Sequence, residues 1–257
     1  MTDSPLVRVR RRGEIAVVTL DRPEKLNALS TAVERGLAAA LDGDDVSSSR
    51  AVVIEGAGRA FSAGADVNEM SDQTADAVLA YYRETGWVYE RIASMSQPTI
   101  AAIHGYCLGG GFELALACDL RVATRSALFG LPEIELGILP SSGGTLRLVR
   151  ALGPARATEL VLSRRRFSAE EALRFGVVTE VVDEDATPRA LAIAEDLASL
   201  PPVAVEVTKR AIAAAAESGR EAVLLIERLA YAALSQTDAH REATASFVRR
   251  RGDDRSG

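Results

Sequence analysis

Along residues 6–20 apolar and polar positions alternate, then crowd together at Ile15-Ala16-Val17-Val18, with Gly13 between. That pattern predicts a β-hairpin. Asp21-Arg22-Pro23 ends the second strand, and Ser30 is a suitable N-cap for a helix over 31–41. A polar link then leads to the strand Ala51-Val52-Val53-Ile54. Strand, helix and strand in succession indicate an α/β chain with crossovers. Residues 70–95 read as a helix carrying Tyr81, Tyr82, Trp87 and Tyr89, aromatics that more often pack a core than line a pocket. Two buried strands follow, Thr99-Ile100-Ala101-Ala102-Ile103 and Leu120-Arg121-Val122-Ala123. Further helices are expected over 145–152, 154–162 and 169–174, the last capped by Ser168 with Glu171 in the capping-box position. A final strand is predicted over 177–182. Residues 187–250 then carry three or four alanine-rich amphipathic helices, broken near Pro201-Pro202 and Ser218-Gly219. The expected division is a core over 1–186 and a helical region over 187–257. That surplus of amphipathic helix suits an assembly surface or a cap on the chain's own core.

The stretch between residues 104 and 140 breaks the pattern. Gly109-Gly110-Gly111 leads into Phe112-Glu113-Leu114-Ala115-Leu116-Ala117-Cys118, apolar everywhere except Glu113. Such a run reads as a helix buried on all sides, and ionised carboxylates are almost never buried without a partner. The residues alone leave two readings open: a Glu paired with Arg121 or Arg147, or a carboxyl held in a functional cavity. Three glycines at a helix N-terminus present free amide donors and a partial positive charge, a place for a developing oxyanion. Glu133 and Glu135 lie in an irregular loop marked by Gly130 and Pro132, and spacing does not say which points inward.

Several pieces of this chain, in order, resemble the enoyl-CoA hydratase/isomerase (crotonase) family. They are Leu20-Asp21-Arg22-Pro23 with Leu26-Asn27-Ala28-Leu29, Ala60-Phe61-Ser62-Ala63-Gly64-Ala65-Asp66, Gly109-Gly110-Gly111-Phe112-Glu113, Leu131-Pro132-Glu133 and Gly143-Gly144-Thr145. The resemblance implies a crotonase-like spiral of strand–strand–helix turns, followed by a C-terminal helical region that makes trimers, often paired into hexamers. No internal sequence repeat displays the spiral directly. It further implies a 2-enoyl-CoA hydratase. The thioester carbonyl would lie between the amides of Ala65 and Gly110, and Glu113 and Glu133 would act as acid and base on a shared water. Coenzyme A would meet main chain near Ala63 and Ala65, with Lys25 and Arg59 beside it and Phe247 and Arg250 reaching the nucleotide end from a neighbouring subunit. For Arg250 a place in the solvated run Arg249-Arg250-Arg251 is an equal reading. No separate cofactor and no metal are expected, because coenzyme A is part of the substrate. Other activities of the family, an isomerase, hydrolase or decarboxylase, are the alternative, and a non-catalytic acyl-CoA-binding scaffold is the third. Ser141 and Ser142 depart from the small residues usual there, and Arg164-Arg165-Arg166 stands where Gly-Asp is common.

Composition narrows the remaining classes. The chain has 257 residues, 47% of them apolar, with a formal net charge of −6. A pI near 5.2 argues against nucleic acid as a main partner, so an anionic coenzyme needs local basic patches. Cys107 and Cys118 sit in apolar surroundings and read as buried hydrophobes of a reducing compartment. With no apolar run of membrane-spanning length and no signal peptide, a cytoplasmic enzyme is expected. The segment Gly56-Ala57-Gly58 begins like a dinucleotide fingerprint, but residue 61 is Phe, which discards it. The two histidines, His104 and His240, form neither a zinc pair nor a triad.

Overall fold

The computed structural model describes residues 5–69 and 74–253, side chains from 249 onward excepted. The chain divides into two compact units, residues 1–198 and 199–257.

In the first unit, β1 (Val7–Arg12) and β2 (Ile15–Leu20) form the expected antiparallel hairpin. Helix α1 (Thr31–Asp42) starts where Ser30 Oγ accepts from the Val33 amide, and the short α2 (Asp44–Ser47) leads to β3 (Ala51–Gly56). The stretch expected as one helix over 70–95 is two, α3 (Ala75–Glu84) and α4 (Val88–Ala93). They part around Gly86, where a Cβ would stand 2.8 Å from both Tyr81 and Tyr82. The start of that expected helix, 70–73, lies outside the described residues. Next come β4 (Thr99–Ile103), β5 (Tyr106–Leu108), α5 (Gly110–Ala117), β6 (Leu120–Thr124) and β7 (Leu128–Gly130). The two helices expected over 145–152 and 154–162 are both present, parted by non-helical Gly153 (φ 74°), and are together labelled α6 (Gly144–Ser163). After β8 (Phe167–Ser168), α7 (Ala169–Phe175) carries the full Ser168/Glu171 capping box. The last strand, β9 (Glu180–Val182), is shorter than expected. The Val177 and Val178 amides bond the Ala172 carbonyl and close α7 instead.

The main sheet runs β1-β2-β3-β4-β6-β9, parallel after the first hairpin, and β5-β7-β8 form a smaller one. Side-chain alternation divides the core between the main sheet's two faces. Ala16, Val18, Val52, Ile54, Ala101 and Ile103 meet residues of α1 and α5. Ile15, Val17, Ala51, Val53, Ile100 and Ala102 meet Ala186, Ala190, Leu191 and Ala194 of α8 (Ala186–Ala198). Both faces are therefore covered, which explains why every residue of β2 is buried. Helix α8 is thus one wall of the core, and the chain divides into its two compact units after residue 198.

The second unit contains α9 (Pro202–Ala215), α10 (Arg220–Leu234) and α11 (Asp238–Asp253). Among the described residues no helix is long and apolar enough to cross a membrane.

Candidate active site

Two main-chain amides come together first. Ser62, fully buried, donates its hydroxyl to the Asn27 carbonyl at 2.8 Å and accepts from the Gly64 amide at 3.2 Å. Leu29 then bonds both sides of Ala65: its amide donates to the Gly64 carbonyl, and its carbonyl accepts from the Asp66 amide. This bridge occupies the neighbours of Ala65 and turns the Ala65 N–H away from the ladder. Gly64 allows the turn, with φ at +105°, where a side chain is strained. A Cβ on Gly110, first residue of α5, would lie 3.6 Å from Ala65 N, and one on Gly64 would lie 3.6 Å from Gly110 N. The two N–H groups are thus close neighbours, and among the described residues neither meets an acceptor. Gly110 cannot bond within its helix because it opens it.

One turn along α5, Glu113 is 4% exposed. It is not salt-bridged to Arg121, which donates to the Val177, Ala115, Cys118 and Asp119 carbonyls. Arg147 donates to the Ser142 carbonyl and pairs with Glu90. Glu113 Oε1 instead accepts from the Ser142 and Gly144 amides, both at 2.8 Å. Gly144 must lack a side chain, since a Cβ there would fall 2.5 Å from that oxygen. Burial pushes the Glu113 pKa up, while these two amides and the Arg147 charge pull it back.

Glu133 and Glu135 share a short 3-10 turn, Glu133–Leu136, yet face different surroundings. Glu135 is exposed, with Arg164 as an ion-pair neighbour at 4.0 Å. Both carboxyl oxygens of Glu133 are buried and meet no hydrogen-bond partner among the described residues. Its Oε1 lies 3.4 Å from where a Cβ on Gly109 would stand, which puts the carboxyl beside the glycine run. Burial, and less so the Glu113 charge, pushes its pKa up to about 7.

The expected coenzyme contacts of the first unit gather on two adjoining loops. Lys25 and Arg59 are exposed, and Gly58, next to Arg59, packs so closely on Pro23 that a Cβ would stand 2.7 Å away. The Ala63 amide donates to the Leu26 carbonyl at 2.9 Å, joining the same two loops. Phe247 is exposed on α11 in the second unit, and the side chain of Arg250 lies outside the described residues. His104 is bound to the Gly58 carbonyl at 3.0 Å.

A third buried acid escaped the sequence reading. Glu34 of α1 is 2% exposed, and its Oε1 accepts from the Tyr81 hydroxyl at 2.7 Å and the Tyr89 hydroxyl at 2.9 Å. Its signal was present: Glu34 falls on the stripe with Leu37 and Leu41, the buried face of α1.

The sequence matches the enoyl-CoA hydratase/isomerase family over residues 10–254. A Mycobacterium tuberculosis protein named probable enoyl-CoA hydratase echA8 is 41% identical over 246 residues, 95% of each chain. The 2,3-dehydroadipyl-CoA hydratase of Escherichia coli is 39% identical, over 97% of this chain and 98% of that one. The crystal structure of enoyl-CoA hydratase from Bacillus anthracis superposes with a TM-score of 0.88 at 36% identity, covering 95% of this chain and 96% of that one.

Proposed function

Because the chain belongs to the enoyl-CoA hydratase/isomerase (crotonase) family, enzymes of acyl-CoA thioesters, we propose that it hydrates a 2-enoyl-CoA. The observation that carries the reading is the pair of neighbouring amides flanked by two buried carboxyls with opposite surroundings. The thioester oxygen sits between the Ala65 and Gly110 amides. Water adds through its oxygen to the β-carbon and gives up a proton to Glu113, whose charge two amides sustain. Electrons move to the thioester oxygen as an enolate, and donors of this kind are each worth ~10²–10³ in rate. The α-carbon then takes a proton from Glu133, a carboxyl that still holds one near neutrality. Lys25, Arg59 and the main chain at Ala63 and Ala65 bind coenzyme A, and a guanidinium suits its phosphates. Phe247 and Arg250 complete the nucleotide end from another subunit.

That assembly is a trimer or a dimer of trimers. Its support is apolar surface left open within each unit. Leu136, Leu139 and Leu162 in the first, and Ile212, Leu229 and Tyr231 in the second, are each 59% exposed or more. No residue of α9 or α10 is buried. The helices that assemble are therefore those beyond residue 198. A single sedimentation species of monomer mass at micromolar concentration would refute it.

The function is tested with acyl-CoA thioesters of differing length and double-bond position, products identified by mass. Gain of one water by a 2-enoyl-CoA is expected. Migration of the double bond without water, or release of free coenzyme A, would assign the site to an isomerase or a hydrolase.

A further inference from the structure

The acid that the proposed reaction leaves unused lies next to the proposed oxyanion pair. Glu34 gathers two phenols from two elements, Tyr81 of α3 and Tyr89 of α4, onto a single carboxyl oxygen. Its other oxygen, Oε2, is buried and has no partner among the described residues. A group like that weakens a fold, and native chains keep few of them without a reason. The reason is visible one contact further on. The Tyr89 hydroxyl stands 3.4 Å from where a Cβ on Gly110 would be, and the Ala65 amide stands 3.6 Å from the same point. The phenol oxygen therefore borders the Cβ side of Gly110, on the same side as the Ala65 amide.

We propose that Glu34, through Tyr89, is a positioning residue of the oxyanion site: it fixes the Tyr89 hydroxyl against Gly110 and so holds the Gly110 amide in register with that of Ala65. The inference rests on the oxyanion reading of those two amides. Oriented donors act only when held to within about 0.5 Å, and side chains locked by hydrogen bonds behind them do that work. Burial keeps both phenols protonated, so each remains a donor to Glu34. The Thr85 hydroxyl and the Glu69 charge also face Glu34, and the Glu113 charge lies near enough to be coupled to it. Tyr81 carries the hold to α3, where the neighbouring Tyr82 hydroxyl donates to Ser141, next to the Ser142 amide that grips Glu113. The Tyr81 and Tyr82 rings meet edge to face, so two separate hydrogen-bonded groups adjoin on α3.

Binding without turnover tests this. Acetoacetyl-CoA readily forms an enolate that places negative charge on the thioester oxygen, whereas butyryl-CoA carries no such charge. The triple variant Glu34→Leu, Tyr81→Phe, Tyr89→Phe removes the carboxyl and both phenols together, a change that can be neutral or stabilising for folding. Its Tm is expected to equal or exceed that of the unaltered protein. Its affinity for acetoacetyl-CoA should fall at least ~10-fold, since misplacing a positioned group by about 1 Å can cost ~10². Its affinity for butyryl-CoA should stay within about 2-fold. Tyr89→Phe alone should reproduce most of the loss, which keeps the test decisive if the triple variant does not fold. A triple variant or Tyr89→Phe that binds the enolate as tightly as the unaltered protein overturns the inference. An unaltered protein that gains no affinity from the enolate overturns it as well. If the unaltered protein shows the enolate preference and its dependence on Tyr89 but hydrates no enoyl-CoA, the positioning role stands and the hydratase reading falls.

Discussion

Glu113 and Glu133 are both carboxyls taken out of water, and the structure treats them in opposite ways. Glu113 sits on a fully buried helix, and the 142–144 turn folds two amides onto one of its oxygens. Glu133 sits on a 3-10 turn among largely exposed residues, and neither of its oxygens has a partner among the described residues. Hydrogen bonds to a carboxylate favour the charged form, and desolvation alone favours the neutral one. Removal from water alone therefore does not decide what a carboxyl can do. Burial raises the pKa of both, opposed at Glu113 by the two amides and the Arg147 charge, and the proposed reaction uses Glu113 to accept a proton and Glu133 to release one.

The largest expected effect comes from removing either partner. Glu113→Gln and Glu133→Gln should each lower hydration kcat by ~10²–10⁴ with little change in KM. The double variant should lose less than the product of the two, because the pair acts as one unit. Steady-state kinetics with a 2-enoyl-CoA checks both, and full activity in either single variant would end the two-acid assignment.

Next in size is a change that spoils the cradle and leaves both acids in place. Gly144→Ala puts a methyl 2.5 Å from Glu113 Oε1 and 2.6 Å from its Cγ, so the carboxyl or the turn must shift. A loss of ~10² in kcat is expected, with Glu133 unaffected. An unchanged kcat would show that the cradle has no part in the reaction.

A smaller effect is read in pH. The folded-state pKa of Glu133 is raised from an ordinary 4.5 to about 7, so the fold binds that proton more tightly than the unfolded chain does. Its contribution to stability is complete below about 4.5 and is lost as pH rises through about 7. Tm should decline across that window, and the decline should flatten in Glu133→Gln. In the unaltered enzyme kcat/KM should fall above about 7, where the acid is spent. The same slope of Tm with pH in both proteins would refute the assignment.

The smallest expected effect is the control. Glu135→Gln, two residues away and exposed, should change kcat less than about 2-fold, as surface charges beyond the site usually do. A large loss there would exchange the roles of the two glutamates.

Much of this protein was legible along the chain because local chemistry specified it. The β1–β2 hairpin, the Ser30 and Ser168 caps and the apolar strands over 51–54 and 99–103 each depend on near neighbours. The family pieces, read in order, pointed to the family and fold that the comparisons bear out. The rest depended on residues that are distant in sequence. Whether residues 70–95 made one helix or two turned on the fit of Gly86 beneath two tyrosine rings. Whether α8 belonged to the core or to the trailing helices turned on an uncovered sheet face. The choice between Glu133 and Glu135 turned on which side of a single turn met the glycine run. Glu34 looked like an ordinary acid in a helix's first turn until two tyrosines 47 and 55 residues away closed on it. Composition and period report what a residue is and which face it lies on. Burial and hydrogen bonding, which decide what a carboxyl can do, come from whatever the rest of the chain brings against that face.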